Sequence, residues 1–537
     1  MGKIEGMKND LPPARKAAVE AYIQAGTIRG AARLLGKDPR TIREHIQKAG
    51  IKKPVTSGEV EYSDPKVIKP RRGGRVFILT CAQNNTPVHE PFLENLVSLA
   101  GYRSAELLVA KVIYNHHAYL RDGDGEIWYD PKIATFPGDR NIEIAPDLIW
   151  NGEVNILPTA VNPLSGLDVF NGPKSGIFPH TKIAMSSVAT GREDPSRFVY
   201  TTGTVTQRNY VPRKAGQKAS FHHAYGALIV EVDSKGRWFA RQINAREDGS
   251  FQDLDVVVAD GKVSEGNPVE AIVWGDVHVA ALDPDIETLS WGEGGILDTL
   301  RPKTQVFHDL LDFRARNHHD RRDPHLNFRK HLEGTDDVAD ELRETVLFLS
   351  RAARDGVESV VVPSNHDDAL TRWLREADYR EDPKNALVFL RLQARLYEAI
   401  ARGEEDFHVL GWALGRSALG IEYPEARVAA IGAVYNARWL HVDESHVVAG
   451  VELGNHGHLG VNGSRGNPRQ FARTGRKSIT GHTHSAGIID GVYTVGTSTK
   501  LSLSYTRGPS SWSHTHAVLY PNGKRALVTI RDGKWRA

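Results

Sequence analysis

Apolar runs that stop at polar residues are the main pattern in the second half of the chain. Each run is short and rich in β-branched or aromatic residues, which is typical of a buried strand. We predict strands at 271–274, 304–307, 357–362 and 447–453. The polar residues that follow them are Asp276, Asp309, Asn365 and His456. Because side chains on strand-end loops of one sheet can converge, these positions predict a common site.

The pattern of residues 76–265 predicts an α/β accessory domain. A strand at 76–80, a helix at 89–100 and a strand at 106–114 have the order of a β-α-β unit. Further strands are predicted at 147–150, 182–186, 197–202, 227–232 and 237–243. No glycine-rich phosphate loop and no internal repeat are evident, so we expect a scaffolding or substrate-positioning role. Alternating runs at 492–505, 513–519 and 525–530 predict strands that complete a second sheet of a domain at 266–537.

Three short helices are predicted at 14–25, 27–35 and 39–49. Asp38 followed by Pro39 is a favourable start for the third helix. The arrangement resembles a helix-turn-helix domain over residues 1–50, which implies DNA binding. The third-helix residues that lie off the apolar stripe and are expected to contact DNA are Arg40, Arg43, Gln47 and Lys48. A structural three-helix bundle is the alternative.

Charge is unevenly distributed along the chain. Residues 1–75 contain 17 Lys and Arg against 8 Asp and Glu, a net charge of +9, whereas the whole chain carries +2. Residues 51–75 also collect proline and glycine, which predicts a basic linker. The asymmetry favours a nucleic-acid-binding arm over a merely solvated basic tail.

Length and composition predict a multidomain cytoplasmic protein. A chain of 537 residues exceeds one ordinary core. Its single cysteine, Cys81, cannot form an intramolecular disulfide and is expected to be a buried thiol. No apolar run reaches the roughly 18–20 residues that span a bilayer. We therefore expect a soluble protein without a membrane partner, and we expect it to form a homo-oligomer.

The polar clusters combine imidazole and carboxylate groups. In chain order they are Asp276-Val277-His278, Asp309, Asn365-His366-Asp367, His456-Gly457-His458 and His482-Thr483-His484. Such mixed ligands suit Mn, Fe or Zn, whereas an all-oxygen set suits Mg or Ca. Clusters of this kind after successive strands predict a hydrolytic centre in which two divalent ions share a carboxylate.

This series resembles the calcineurin-like metallophosphoesterase superfamily over about residues 268–505. The resemblance implies a β-sandwich flanked by helices, in an α/β chain, with two bound divalent ions. Mn²⁺ is the favoured ion, and Fe, Zn or Mg are alternatives. It implies that one ion is bound by Asp276, His278 and His484 and the other by Asn365, His456 and His482. It also implies that Asp309 bridges the ions. His366 would stabilise the transition state or protonate the leaving oxygen, with Asp367 or Asp368 orienting it.

The sequence departs from the family pattern at two positions. His308 and Ser364 stand where the family usually has glycine, which changes loop geometry or adds a hydrogen-bond donor near the ligands. His458 competes with His456 for the ligand role, and we prefer His456 because it comes first after the strand. His318 and His319 with His325 are expected on a solvated helix face, and a substrate-facing loop is the alternative. The other pairs, His222 and His223 and His514 and His516, are expected to be structural.

A phosphoesterase centre alone does not choose a substrate. A DNA-binding domain on the same chain raises the local concentration of phosphodiesters at the centre. The sequence therefore predicts a two-metal DNA phosphodiesterase, similar to the DNA-repair nuclease branch and to DNA-degrading enzymes of large bacteriophages, acting in the host cytoplasm. The alternative is a phosphatase or cyclic-nucleotide phosphodiesterase with a regulatory DNA-binding domain.

Overall fold

The computed structural model describes residues 11–25, 28–49, 64–69, 71–114, 127–320, 322–415, 432–434, 436–503 and 506–537. The chain divides into two compact units, Met1–Ser63 and Asp64–Ala537. Most of the predicted linker, residues 51–63, lies outside the described residues. Its other end does not act as a linker, because Lys66–Val67 (β1) pairs in parallel with Asn141–Ala145 (β4) of the second unit.

The first unit contains helices at Pro13–Ala25, Ile28–Leu34 and Pro39–Lys48, close to the predicted spans. Their apolar faces form a small core made of Ala18, Ala21, Tyr22, Ala31, Ala32, Ile42 and Ile46. The Asp38 side chain caps the third helix by accepting a hydrogen bond from the backbone N of Arg40 at 2.7 Å. The small alanines allow the helices to approach closely.

The second unit is a mixed α/β structure, which confirms the predicted class at that level. Its helices are Glu90–Arg103, Lys214–His222, Pro284–Trp291, Ile296–Leu300, Pro324–Leu332, Val338–Ala352, Asp368–Glu376, Ala386–Arg402, Val409–Leu414 and Pro468–Ala472. Within the described part of the chain, no helix is long and apolar enough to cross a membrane.

The strands that follow β1 alternate with these helices. They are β2 (Arg75–Gln83), β3 (Glu106–Val112), β4 (Asn141–Ala145), β5 (Leu148–Asn151), β6 (Ser175–Phe178), β7 (Met185–Val188), β8 (Arg197–Thr201), β9 (Gly226–Val232), β10 (Trp238–Asn244), β11 (Phe251–Asp253), β12 (Val256–Ala259), β13 (Lys262–Ser264), β14 (Ala271–Val273), β15 (Thr304–Phe307), β16 (Glu358–Val361), β17 (Arg438–Trp439), β18 (Val447–Val448), β19 (Val451–Glu452), β20 (Lys477–Thr480), β21 (Gly487–Ile489), β22 (Val492–Thr494), β23 (Thr515–Leu519) and β24 (Arg525–Thr529).

Two large sheets carry the strands that precede the polar clusters. The largest has the order β1-β4-β5-β6-β8-β7-β21-β22-β20-β19-β18, and the other has the order β17-β16-β15-β14-β23-β24. Smaller sheets have the orders β10-β9-β2-β3 and β11-β12-β13. β14, β15, β16 and β17 are parallel neighbours, so their carboxyl ends share one edge of their sheet.

Alternating side chains of β14 pack on opposite faces of its sheet. Ala271 and Val273 lie in a core that includes Val451 and Ile479 of the largest sheet. Ile272 lies instead in a core built with residues of the covering helices. The two large sheets therefore pack face to face, and helices cover the outer face of the β14 sheet.

The predicted boundary at residue 265 does not separate two sheets. β4 to β8 come from before it and β18 to β22 from after it, and antiparallel pairing of β7 with β21 joins them in one sheet. Several predicted strands also differ from the observed ones. The strand predicted at 182–186 begins at Met185, the one at 447–453 is the β18–β19 hairpin, and the one at 492–505 is limited to Val492–Thr494 within the described residues.

Candidate metal centre

Polar residues at the ends of β14, β15, β16, β19 and β20 meet where the two large sheets face each other. Asp276 and His278 follow β14, Asp309 follows β15, and Asn365 follows β16; His456 follows β19, and His482 and His484 follow β20. The sequence predicted this convergence from the strand ends. The residues converge because these strands belong to two sheets that face each other.

Four of the predicted ligands have a left-handed backbone. The φ angles of His278, Asp309, His482 and His484 are 44°, 45°, 71° and 55°. This conformation is uncommon for residues other than glycine, although Asp and His adopt it more readily than β-branched residues do. Such backbone strain costs about 1–3 kcal/mol per residue and is characteristic of functional sites.

A first group of potential ligands is fully buried. One ligand atom from each of Asp276, His278, Asp309 and His484 lies within 4.8 Å of the others. Nε2 of His278 lies 3.1 Å from Nε2 of His484 and 3.4 Å from Oδ2 of Asp309. Nε2 of His484 lies 3.1 Å from Oδ2 of Asp276. Ligands that bind one ion tetrahedrally at about 2.0–2.2 Å are separated by about 3.3–3.6 Å. This group can therefore hold a metal ion.

A second group adjoins the first at Asp309. Nε2 of His456 lies 3.1 Å from Oδ2 of Asp309, the same oxygen that faces His278. Nδ1 of His456 and Oδ1 of Asn365 are buried and have no hydrogen-bond partner among the described residues. Buried polar atoms are normally paired, so a cation is the partner that this donor set fits. His482 completes the group, with its ring 5.3 Å from that of His456.

The charges of the centre influence one another. Burial raises the pKa of Asp309, but His456 and His278 outweigh burial and hold that pKa well below its usual range. Burial lowers the pKa of His278 and His456, but Asp309 outweighs it and raises both. Burial, together with His456, lowers the pKa of His482 to about 4. The buried carboxylates and the imidazoles of His278 and His456 therefore stabilise each other's charged forms.

His366 is held at the edge of the centre by Asp312. Nδ1 of His366 lies 3.1 Å from Oδ1 of Asp312, and the same oxygen lies 3.1 Å from Nδ1 of His278. Burial lowers the pKa of His366, but Asp309 and Asp312 outweigh it and raise that pKa. The His366 side chain remains 24% exposed, so it is accessible from the cavity beside the centre. The sequence placed Asp312 three residues after Asp309 but predicted no role for it.

The prediction that Asp367 or Asp368 orients His366 is wrong. The Asp367 carboxylate accepts hydrogen bonds from the backbone N of Leu311 at 2.7 Å and from Oγ of Ser364 at 2.8 Å. Burial, together with Asp309, raises its pKa to about 6. Asp368 is exposed at the start of the next helix. Asp367 therefore fastens the Asn365 loop to the loop after Asp309 and makes no recorded contact with the His366 ring.

Of the two residues that stand where glycine was expected, Ser364 supports a loop of the centre by hydrogen bonds and His308 lies beside His456. Ser364 binds the Asp367 carboxylate and accepts a hydrogen bond from the Asp367 backbone N at 3.1 Å. His308 is fully buried, with its ring 5.4 Å from that of His456, and burial followed by the nearby His456 lowers its pKa to about 4. Glycine is required instead before His482, because a Cβ atom at Gly481 would lie 2.1 Å from Oδ1 of Asp276.

A cavity of about 730 Å³ opens beside the centre. Asn365, His366 and His458 line one part of it, and Arg372 and Arg375 line another. His458 is partly exposed there, whereas His456 is buried against Asp309. The structure therefore places the preferred histidine of the pair among the potential ligands.

His318 and His319 also line this cavity. They lie in a turn over residues 317–320, so the expected solvated helix face is wrong. Their position beside basic side chains was not deducible from local periodicity.

Two of the predicted structural histidines, His516 and His223, are buried and hydrogen-bonded. Nδ1 of His516 accepts a hydrogen bond from the backbone N of Gly275 at 2.9 Å and thereby supports the loop of Asp276. His223 lies 2.7 Å from the hydroxyl of Tyr210 through Nδ1. Cys81 is also buried, as predicted, and burial raises the pKa of its thiol to about 12.

The predicted DNA-contacting residues lie on the third helix of the first unit. Ile42 and Ile46 are buried on one face of this helix. The exposed residues of the helix include all four candidates, which are Arg40, Arg43, Gln47 and Lys48. The helix thus presents a basic and polar surface to solvent.

Comparison with known proteins gives one informative relationship. No model of a known protein family matches the chain, and no solved structure matches it. The chain is 40% identical over 480 residues to Protein A1 of Escherichia phage T5, an alignment that covers 86% of this chain and 83% of that protein. The chain therefore belongs to the family of phage T5 Protein A1.

Proposed function

We propose that the chain is a two-metal-dependent DNA phosphodiesterase, a nuclease of the metallophosphoesterase type. The observation that carries the proposal is the position of Oδ2 of Asp309, which lies 3.4 Å from Nε2 of His278 and 3.1 Å from Nε2 of His456. A carboxylate between two imidazole-containing groups is the arrangement that a shared ligand of two ions requires. The unpartnered atoms of His456 and Asn365 support the second position.

The residues proposed to hold the two ions are those that the resemblance to metallophosphoesterases implies. Asp276, His278 and His484 would hold one ion, while Asn365, His456 and His482 would hold the other. Asp309 lies between the groups. The mixed nitrogen and oxygen donors favour Mn²⁺, with Fe, Zn or Mg as alternatives. When bound, such a pair of ions supplies the Lewis acidity and activated water that phosphodiester hydrolysis needs at neutral pH.

The chain's own acid-base group is proposed to be His366. Its raised pKa favours the imidazolium form, and its exposed edge borders the cavity. A protonated imidazole there can donate its proton to the departing sugar oxygen. Asp312 is the positioning residue, because its carboxylate holds Nδ1 of His366 and leaves Nε2 as the atom available for transfer.

Substrate binding is assigned to the basic wall of the cavity. Arg372 and Arg375 line it on the helix that follows Asp367, and both are exposed. Guanidinium groups bind phosphate oxygens through paired N–H donors, which suits the phosphates that flank a scissile bond. His318 and His319 extend this polar wall.

DNA is the proposed substrate because of the first unit. Its third helix presents Arg40, Arg43, Gln47 and Lys48 to solvent, and residues 1–63 contain 12 Lys and Arg against 7 Asp and Glu, a net charge of +5. These features favour attachment to a polyanion. The phage relative supports the proposal that the chain is phage-encoded. We propose in addition that it acts on DNA in the host cytoplasm.

The direct test is incubation of the purified chain with plasmid DNA and Mn²⁺, Mg²⁺ or EDTA. We expect cleavage with Mn²⁺, none with EDTA, and none from an Asp309→Asn variant that remains folded by circular dichroism. A chain that hydrolyses a phosphomonoester or a cyclic nucleotide but leaves DNA intact would instead be a phosphatase or cyclic-nucleotide phosphodiesterase with a regulatory DNA-binding unit.

A further inference from the structure

The strands before and after residue 265 are arranged in the same way. In the largest sheet, the neighbouring strands β5-β6-β8-β7 are followed by β21-β22-β20-β19. The second series is the first in reverse order, so that β7 corresponds to β21, β8 to β22, β6 to β20 and β5 to β19. The four-stranded sheet β10-β9-β2-β3 likewise matches β24-β23-β14-β15 of the six-stranded sheet. We infer that residues 75–244 and 271–529 are two copies of one fold, of which the first copy has lost its metal ligands.

The strand registers agree between the copies. In the first copy, Ile177 of β6 pairs in parallel with Tyr200 of β8; in the second, Ile479 of β20 pairs in parallel with Tyr493 of β22. Each tyrosine also faces an apolar residue on an antiparallel neighbour, Met185 for Tyr200 and Ile488 for Tyr493. Equivalent side chains therefore occupy equivalent positions, which goes beyond a shared strand order.

The end of β2 and the loop after β14 share a specific hydrogen-bond arrangement. Cys81 forms a parallel bridge with Thr204, and Asp276 forms a parallel bridge with Thr497. Oγ1 of Thr204 donates to the carbonyl of Cys81 at 2.8 Å, and Oγ1 of Thr497 donates to the carbonyl of Asp276 at 3.0 Å. Cys81 thus stands where the second copy has its first metal-centre carboxylate.

The two copies meet through equivalent strands. β7 pairs with β21 so that Met185 faces Ile488, and these residues are equivalents of each other. A contact in which a surface meets its own counterpart is the mark of two-fold symmetry. β10 and β24, also equivalents, lie against each other, with the backbone N of Leu527 donating to Oε1 of Gln242 at 2.9 Å. The two copies are therefore arranged within one chain as the subunits of a two-fold symmetric dimer are.

The first copy lacks the ligand set of the second. By these equivalences, Asp276, His278, His482 and His484 are replaced by Cys81, Gln83, His180 and Lys182. β16, which precedes Asn365, has no counterpart among the described strands of the first copy. An ammonium group and an amide in place of two imidazoles remove the donors that a transition metal requires.

Other contacts occupy the remaining polar groups of the first copy. Nε2 of His180 lies 3.2 Å from the carbonyl of Leu157, and Nδ1 accepts a hydrogen bond from the backbone N of Lys182 at 3.0 Å. Nζ of Lys182 donates to the carbonyl of Val161 at 2.8 Å and forms an ion pair with Asp490 of the second copy. Lys182 thus forms a contact between the two copies, whereas its counterpart in the second copy, His484, is a potential metal ligand.

The repeat follows from the strand arrangement alone, whereas the loss of metal binding in the first copy rests on the proposed function. Both are tested by crystals of the full chain soaked in Mn²⁺ and measured at the Mn absorption edge. We expect anomalous peaks beside Asp309 and none beside His180. A peak beside His180 would overturn the inference and leave the proposed function standing. No peak in either copy would refute the proposed two-metal function, and with it the difference between the copies.

Paired variants of the full chain test the same assignment in solution. His482→Asn should lose bound Mn²⁺ and lower hydrolysis of a small chromogenic phosphodiester by about 10–100-fold or more. The equivalent change, His180→Asn, should leave both unchanged. Lys182→Met provides a second variant if His180→Asn fails to fold, with the same expectation. Loss of Mn²⁺ from a folded first-copy variant would contradict the inference.

Discussion

Oδ1 of Asp312 lies 3.1 Å from Nδ1 of His366, and it is equally close to Nδ1 of His278. A single buried carboxylate therefore links the proposed proton donor to a proposed metal ligand. Because Asp312 holds Nδ1 of His366, Nε2 is the nitrogen that is left to face the cavity.

Asp312→Asn should impair both partners of this carboxylate. The amide cannot stabilise an imidazolium as the carboxylate does, so the raised pKa of His366 should fall. We expect turnover of a chromogenic phosphodiester to drop by about 10–100-fold, the usual cost of losing a group that orients ligands. The alkaline limb of the pH–rate profile, where His366 loses the proton that it donates, should therefore move to lower pH. An unchanged profile would show that Asp312 does not control His366.

His366→Ala should separate chemistry from binding. We expect the variant to keep its bound Mn²⁺ and its affinity for DNA while turnover falls by about 10²–10⁴-fold, the range for a positioned acid or base. The matched control is His325→Ala, since His325 is exposed and does not line the cavity. Full activity in the His366 variant would exclude it as the proton donor, and loss of Mn²⁺ would make it a ligand instead.

Affinity for Mn²⁺ should rise with pH. In the metal-free chain, carboxylates raise the pKa of His278 and His456 above the usual value, so their protons must leave before these imidazoles can bind an ion. In the metal-free chain, the ion pairs between these imidazoles and the carboxylates stabilise the fold at low pH. This stabilisation is lost as pH rises through the raised pKa values, so it changes with pH in the opposite direction to the Mn²⁺ affinity. Calorimetric titration with Mn²⁺ from about pH 6 to about pH 9 measures the effect. Affinity that is constant or falls over this range would contradict the assignment.

Removal of residues 1–63 should weaken DNA binding without damaging the centre. The cut belongs before residue 64 because Lys66–Val67 pairs with β4. We expect lower DNA affinity and a shallower dependence on salt, since each lost phosphate contact reduces that slope by about one. Hydrolysis of a small phosphodiester should match that of the full chain.

A substitution confined to the third helix serves as a finer version of the same test. Arg40→Ala with Arg43→Ala should reproduce part of the loss, while Glu20→Ala, on the first helix, should not. Unchanged DNA affinity and salt slope in both the truncated and the substituted chain would remove the main support for a nucleic-acid substrate.

Local sequence features were sufficient to predict the strand-end positions of the candidate ligands. The runs before Asp276 and Asp309 are short, apolar and interrupted by polar residues, and the observed strands lie within them. Asp38 and Pro39 likewise marked the start of a helix. These predictions succeeded because burial and capping depend on neighbouring residues.

Relationships between distant parts of the chain were not predictable in this way. The role of Asp312 depends on side-chain packing across two strand ends, and Asp367 was misassigned because proximity in sequence to His366 does not make its carboxylate face that ring. The repeat was not predicted from the sequence because the second copy contains a long, mainly helical segment between β15 and β18. The described residues of the first copy contain no equivalent segment. Several residues of the centre also differ between the copies, as the replacement of Asp276 by Cys81 illustrates.

The most direct measurement for the central claim is the Mn²⁺ content of the folded Asp309→Asn chain, determined by mass spectrometry beside the unaltered chain and an Asp367→Asn control. Asp309 faces both ligand groups, whereas Asp367 binds the backbone N of Leu311 and Ser364. We predict two ions in the unaltered chain, retention of both in the control, and loss of one or both, together with DNA cleavage, in Asp309→Asn. Two bound ions and full cleavage in the Asp309 variant would contradict a centre that is bridged by this carboxylate.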